Sequence, residues 1–125
     1  MNLPKFVTYL AAGFFILYGM GYLVTPIEFS QLVVGNAPSG KSFLIDFRAT
    51  YGGMTVALGF ALIYLFSSGY QRPALVVIII ILMGMAVGRS IGFMVEGLGN
   101  QLVVLYLVLE VLGSVLAWVA IQHSD

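Results

Sequence analysis

The stretch FLIDFRATYGGMTVALGFALIYLF, at residues 43–66, decides the fold of this chain. It is long enough to cross the hydrocarbon layer of a bilayer, which takes about 20 residues in a helix. Near its start, however, it contains Asp46 and Arg48, and Tyr51 follows one turn later. Charged side chains are costly inside a bilayer, so they usually face protein or water and mark a site. The stretch therefore predicts a membrane-spanning helix that carries an internal polar cluster.

The composition of the whole chain indicates the same surroundings. Of its 125 residues, 61% are hydrophobic and only 8% are charged, whereas a soluble domain carries about a quarter charged residues. The net charge is zero, so no basic field attracts nucleic acid. With no cysteine and a single histidine, His123, the chain cannot form a disulfide or hold a haem between two histidines. We expect membrane lipids as partners, and neither a metal nor a cofactor.

Four apolar stretches are long enough to span a bilayer. They lie at residues 6–24, 43–66, 73–95 and 101–121. The run LVVIIIIL at residues 75–82 lacks the alternation of a membrane β-strand, and a spanning helix satisfies its own backbone hydrogen bonds. The last three stretches are joined by short links, which makes them antiparallel neighbours. The sequence predicts an all-α integral membrane protein, a four-helix transmembrane bundle that forms a single domain over residues 1–125.

The distribution of charge predicts the orientation of this bundle. Four crossings place both termini on one side of the membrane, together with Lys5 and Arg72. The connections on the other side carry Lys41, but also Glu28 and Glu96. Because basic residues favour the cytoplasmic side, we expect both termini in the cytoplasm, by a margin of one side chain.

One stretch matches a nucleotide-binding motif and is nevertheless rejected. Residues 35–42, GNAPSGKS, fit the pattern G-x-x-x-x-G-K-[ST]. That motif holds phosphate only between a strand and a helix of a parallel sheet. Four membrane spans leave no room for such a sheet. We therefore interpret residues 35–42 as a glycine and proline turn with Lys41 at the lipid headgroups, and we expect no nucleotide binding.

The charged side chains of three spans fall in the same half of the membrane. At 1.5 Å per residue, Arg48 and Arg89 lie roughly 8–9 Å below the face that carries the first and third connections, and Glu110 lies somewhat deeper. Asp46 is shallower, and Tyr51 shares a helical face with Arg48. Two arginines and two carboxylates sum to zero charge, which predicts one compensated intramembrane network of these five residues.

Several functions are compatible with such a network. Buried ion pairs often fix helix register and brace a bundle. The two arginines could instead bind a lipid or a small anionic ligand, Glu110 could relay protons, or an arginine could simply snorkel to the interface. A nucleophile paired with a histidine or cysteine base is not available, so we expect no catalytic residue and no enzyme activity.

Glycines in the spans predict close helix packing. Gly84, Gly88 and Gly92 recur every four residues, which lets another backbone approach one face of the third span. Gly52 and Gly53 in the second span offer the same possibility. These faces could pack against another helix of the same chain or against a second copy. Because four short helices form a thin bundle, we expect a homo-oligomer.

The second span also carries a family resemblance. The run Asp46-Phe-Arg48-Ala-Thr-Tyr51-Gly52-Gly53, with the pair Gly88-Arg89 and the acid Glu110, resembles the bacterial four-helix membrane family catalogued as domain of unknown function 4345. That family looks to have glutamate where this chain has Asp46. The resemblance implies a four-helix membrane fold in a bacterial inner membrane and points to the same polar residues. With it, we expect a non-enzymatic, oligomeric structural or envelope-support protein, and alternatively a binder of a lipid or small anionic ligand or a transport accessory subunit.

Overall fold

The architecture is that of a four-span helical membrane protein, as predicted. A computed structural model describes residues 2–124, so that Met1 and Asp125, the ends of the predicted domain, lie outside the described residues. The chain is 86% helical, and no strand occurs between residues 2 and 124. The helices are α1 (Leu3–Val24), α2 (Pro26–Val34), α3 (Lys41–Ser67), α4 (Gln71–Glu96) and α5 (Gln101–Gln122).

Four of these helices, α1, α3, α4 and α5, are long and apolar enough to cross a membrane. Each extends one to three residues beyond the range predicted from hydropathy, and side chains cap the starts of α1 and α5. The Asn2 side chain accepts a hydrogen bond from the backbone N–H of Lys5 at the start of α1. The Asn100 side chain does the same for Val103 at the start of α5. Such caps satisfy backbone donors that the helix itself leaves free.

The first connection contains the short surface helix α2 rather than an open loop. Gly35 ends it in the left-handed conformation, with φ 78°, which glycine adopts without strain. The side chain of Asn100 donates to the carbonyl of Val33 at 3.3 Å, which attaches α2 to the start of α5. Residues 32–34 form the last turn of α2, at the place where the phosphate motif would require a strand.

The spans pack as two helical pairs, α1 with α3 and α4 with α5. A buried apolar cluster joins the two pairs. Its members lie near the middle of the spans or in the half nearest the termini, and they are Val7, Ala12, Phe15, Leu62, Leu75, Ile78, Ala117, Ala120 and Ile121. In the other half, which we call the loop-one half, α3 makes its main contacts with α1 and α2. The aliphatic core therefore fills only part of the membrane thickness.

A π-helical segment, Arg48–Met54, interrupts α3 in the loop-one half. It lies at a close contact between α1 and α3. A Cβ on Gly19 would stand 2.7 Å from the carbonyl oxygen of Gly52, and a Cβ on Gly52 would stand 2.8 Å from Leu23. Glycine at both positions lets the two backbones touch. Because π-helical turns are rare and are often found at functional sites, this segment marks a region of interest.

Candidate functional site

Arg89 and Glu110 form a bidentate ion pair between α4 and α5. Arg89 Nε donates to Glu110 Oε1 at 2.9 Å, and Arg89 Nη2 donates to Oε2 at 2.8 Å. Glu110 is buried, at 5% exposure, while the Arg89 side chain is 21% exposed. Two parallel hydrogen bonds between a guanidinium and a carboxylate are strong and orient both groups. Each charge is thus neutralised within the chain.

The guanidinium of Arg89 has a second neighbour. Its Cζ lies 5.5 Å from the ring centroid of Tyr106, which precedes Glu110 by about one turn of α5. A cation over an aromatic face is attracted by the ring quadrupole. Tyr106 therefore contributes the face of its ring to this contact. The same helical face of α5 supplies both the carboxylate and the ring that hold Arg89.

From Tyr106, ring contacts continue across α1 and α3. Consecutive centroids lie 6.1, 5.3, 5.3, 4.9 and 4.7 Å apart. We call this series the aromatic row, and in order its members are Tyr106, Tyr18, Tyr22, Tyr51, Phe47 and Phe43. With Arg89 at its end, the row touches all four spans. The aromatic row links the spans to one another in the loop-one half of the bundle, where the buried aliphatic cluster does not reach.

Arg48 does not join the ion pair of Arg89 and Glu110 and instead contacts the end of α1. Its Nε donates to the backbone carbonyl of Leu23 at 3.1 Å, and the residue is exposed. Leu23 belongs to the last turn of α1, where carbonyls lack partners within the helix and carry the negative end of the helix dipole. Arg48 therefore stabilises the end of α1 from the neighbouring span.

The predicted five-residue network is smaller in the structure. Arg89 and Glu110 come together, but Arg48 turns toward α1, and Asp46 is exposed and makes no ion pair within residues 2–124. Tyr51 meets the rings of Tyr22 and Phe47 instead of a charge. The cause is the rotation of α3, because close packing of Gly52 on α1 directs this part of the helix away from α4 and α5.

The predicted packing glycines also separate into two groups. Gly52 lies in tight contact with α1, as described above. Gly53 makes only an ordinary contact, 3.7 Å from its Cβ position to the Arg48 carbonyl oxygen. Cβ atoms on Gly84, Gly88 and Gly92 would meet no atom of the described chain within 4 Å. We call these three the glycine ridge, and within one chain it packs against nothing.

The sequence did not single out Tyr18, Tyr22 or Leu23. Tyr18 and Tyr22 lie one turn apart near the end of the first span, and this spacing could have indicated a common face with the polar half of the other spans. No signal could have indicated Leu23, because it acts through its backbone carbonyl.

Beside the aromatic row lies a shallow groove of about 270 Å³, which is lined by Phe14, Leu17, Tyr18, Phe29 and Tyr106. Its lining is almost wholly apolar. Among residues 2–124, no three histidine, aspartate or glutamate side chains gather to hold a metal ion.

The sequence of this chain matches, over residues 3–121, the family described as Domain of unknown function (DUF4345). The chain belongs to this family. No curated protein and no solved structure matches it. The match to the DUF4345 family covers all four membrane helices, and the family's description names no biochemical activity.

Proposed function

We propose that this protein is a non-enzymatic, self-associating protein of the bacterial inner membrane that supports the membrane envelope or a membrane complex. The observation that supports the proposal is the glycine ridge on α4. Three glycines of the other spans lie where a neighbouring helix needs the space. Cβ atoms at Gly19, Gly59 and Gly113 would stand 2.6–2.8 Å from the adjacent helix. Among residues 2–124, the ridge alone places three glycines four residues apart on one helical face with no neighbour within 4 Å of their Cβ positions.

The surroundings of the ridge suit a second membrane helix. Four β-branched residues of α4 lie beside it and are exposed, namely Ile80, Val87, Ile91 and Val95. β-branched side chains have one preferred rotamer in a helix, so they lose little entropy when a partner packs on them. In lipid, where apolar surface alone gives no driving force, helices associate by such close packing around small residues. We therefore assign the ridge to contact with a second copy of this chain.

The ion pair of Arg89 and Glu110 supports this role by holding α4. Arg89 directly follows Gly88, so the paired face and the ridge lie about 100° apart around one helix. A fixed α4 presents the ridge in a constant orientation. A proton relay through Glu110 is less well supported, because both of its carboxylate oxygens accept hydrogen bonds from Arg89.

The test compares Gly88→Leu with Gly13→Leu in reconstituted bilayers. Both glycines have no atom of the described chain within 4 Å of a Cβ, so the first carbon of either new side chain fits in the monomer. Gly13, however, lies on α1, away from the ridge. We expect single-molecule photobleaching to show oligomers for the wild type and Gly13→Leu, and association weakened roughly tenfold or more by Gly88→Leu, which is 1.4 kcal/mol. A monomeric wild type, or equal effects of both variants, would contradict the proposal.

The proposed orientation places both termini in the cytoplasm, because Lys5 and Arg72 lie at that end of the bundle. A reporter that fluoresces only in the cytoplasm, fused to the carboxyl terminus, should be active. A reporter active only in the periplasm should remain silent there, and the reverse result would invert the orientation.

A further inference from the structure

Arg48 is a cation within a membrane span that has no carboxylate partner in the described chain. It lies seven residues after Lys41, about 10 Å along α3 from its loop-one end. The ion pair found within residues 2–124 joins Arg89 to Glu110 and leaves Arg48 out. Asp46 is two residues away and hence about 200° around the helix, on the far side. An unpaired charge at this depth is costly, so a counter-charge from outside the chain would stabilise it.

The guanidinium of Arg48 is fixed by one hydrogen bond and has further N–H donors available to bind a ligand. The Leu23 carbonyl accepts from Nε, at 3.1 Å, which fixes the position of the group. A guanidinium has five N–H donors, and the four on its terminal nitrogens have no acceptor in the part of the chain that the structure describes. Arg48 is exposed, so these donors are accessible from the lipid side. Their planar arrangement fits a phosphate group with two parallel hydrogen bonds.

The surface of α3 around Arg48 has the character of a lipid contact. Phe43 exposes 53% of its surface near the loop-one end of α3, at the headgroup boundary, where aromatic side chains are favoured. Tyr51 exposes 46% of its surface about one turn deeper than Arg48. Ile45 and Met54 are exposed and apolar. This surface is open because α4 and α5 do not cover the loop-one half of α3.

We infer that Arg48 binds the phosphodiester of an anionic membrane lipid, whose acyl chains lie along the exposed apolar side chains of α3. The positive charge and free N–H donors of Arg48 favour an anionic headgroup at this depth. The exposed apolar side chains of α3 favour a diacyl lipid over a soluble anion. The π-helical segment begins at Arg48 and places it beside the end of α1. The site is on α3 and the glycine ridge is on α4, so lipid binding and self-association can fail independently.

The experiment is native mass spectrometry of the protein released from vesicles of phosphatidylcholine that contain equal minor fractions of phosphatidylglycerol and a neutral glucosyl diacylglycerol. The wild type should retain phosphatidylglycerol in a fixed ratio of one per chain and little of the glucolipid. Arg48→Gln should retain roughly tenfold less, while its amide N–H can still bond the Leu23 carbonyl. Arg72→Gln is the matched control, because it removes an exposed arginine from the opposite end of the bundle.

Three results would overturn the inference: equal retention of both lipids by the wild type, unchanged retention by Arg48→Gln, or loss in Arg72→Gln alone. The comparison of the two lipids needs only the wild type, so equal retention overturns the inference even if Arg48→Gln fails to fold. Arg48→Lys should retain more phosphatidylglycerol than Arg48→Gln, because the charge persists without the planar fork. Displacement of the lipid by inorganic phosphate alone would show that the site binds a soluble anion and that the lipid assignment is wrong.

Discussion

Arg89 and Glu110 lie 21 residues apart in sequence, on neighbouring antiparallel helices, and share two hydrogen bonds of 2.9 and 2.8 Å. Removing one partner leaves the other charge, buried for Glu110 and partly buried for Arg89, without compensation. We expect Glu110→Leu and Arg89→Met each to lower the free energy of unfolding by about 3–5 kcal/mol. Steric trapping or thermal unfolding in detergent would measure the loss.

The double variant Arg89→Met/Glu110→Leu is the control for that prediction. With both charges gone, no unpaired group remains, and apolar side chains of similar size fill the space. We expect the double variant to recover most of the stability lost by either single variant. If the double variant loses the sum of the two single losses in free energy of unfolding, Arg89 and Glu110 are not coupled and the prediction is wrong.

Gly59 is where α1 and α3 pack most tightly. A Cβ there would stand 2.6 Å from Ile16 Cγ1 and 2.7 Å from the carbonyl oxygen of Ala12. Because a backbone atom cannot move aside alone, Gly59→Ala should cost about 1–3 kcal/mol of stability. Gly13→Ala meets open space and improves helix propensity, so it should be neutral or stabilising by up to about 1 kcal/mol. Equal unfolding temperatures for the two variants would contradict the packing described here.

Thr8 carries a buried hydroxyl with no hydrogen-bond partner in the described chain, and its exposure is 0%. An unsatisfied buried hydroxyl costs free energy, and valine has nearly the same shape. We expect Thr8→Val to raise the free energy of unfolding by about 1 kcal/mol. Thr55→Val is the control, because the Thr55 hydroxyl donates to the Thr50 carbonyl at 3.5 Å and should give no gain. A loss of stability in Thr8→Val would indicate that its hydroxyl has a partner after all.

Asn100 has two roles at the loop-one end of the bundle. It caps α5 by accepting from Val103 N–H at 2.8 Å, and it attaches α2 by donating to the Val33 carbonyl at 3.3 Å. Asn100→Ala should therefore cost about 0.5–2 kcal/mol and increase hydrogen exchange in α2. Asn36→Ala removes only a local contact to Ala37 in an exposed turn and should change stability by less than about 0.5 kcal/mol. Unchanged exchange in α2 would show that Asn100 does not hold it.

The sequence predicted one polar network, and the structure brings together only two of its charged residues, Arg89 and Glu110. Depth along each helix placed Arg48, Arg89 and Glu110 in the same half of the membrane, because the rise per residue is constant. Depth does not determine how each helix is rotated about its axis. Two of these residues meet, and Arg48 faces a backbone carbonyl of α1 instead.

The glycines also show that a sequence pattern can mark a position without identifying its contact. Their spacing in sequence marked Gly52 and the glycine ridge as packing positions alike. Whether a glycine contacts another helix depends on which helix lies opposite it. Gly52 of α3 meets α1, whereas no part of the described chain meets the glycine ridge. Spacing predicts a surface that can be packed, but it does not predict its partner.

The sequence by itself determined the all-α class, the four spans and the common side of the termini, because the length and hydrophobicity of a segment are local properties. Only the tertiary structure decided that Arg89 pairs with Glu110, that an aromatic row replaces the aliphatic core in the loop-one half, and that Arg48 keeps free donors at the lipid surface. These outcomes depend on how the helices are rotated and paired. Rotation and pairing result from packing between residues far apart in the chain, which no local pattern records.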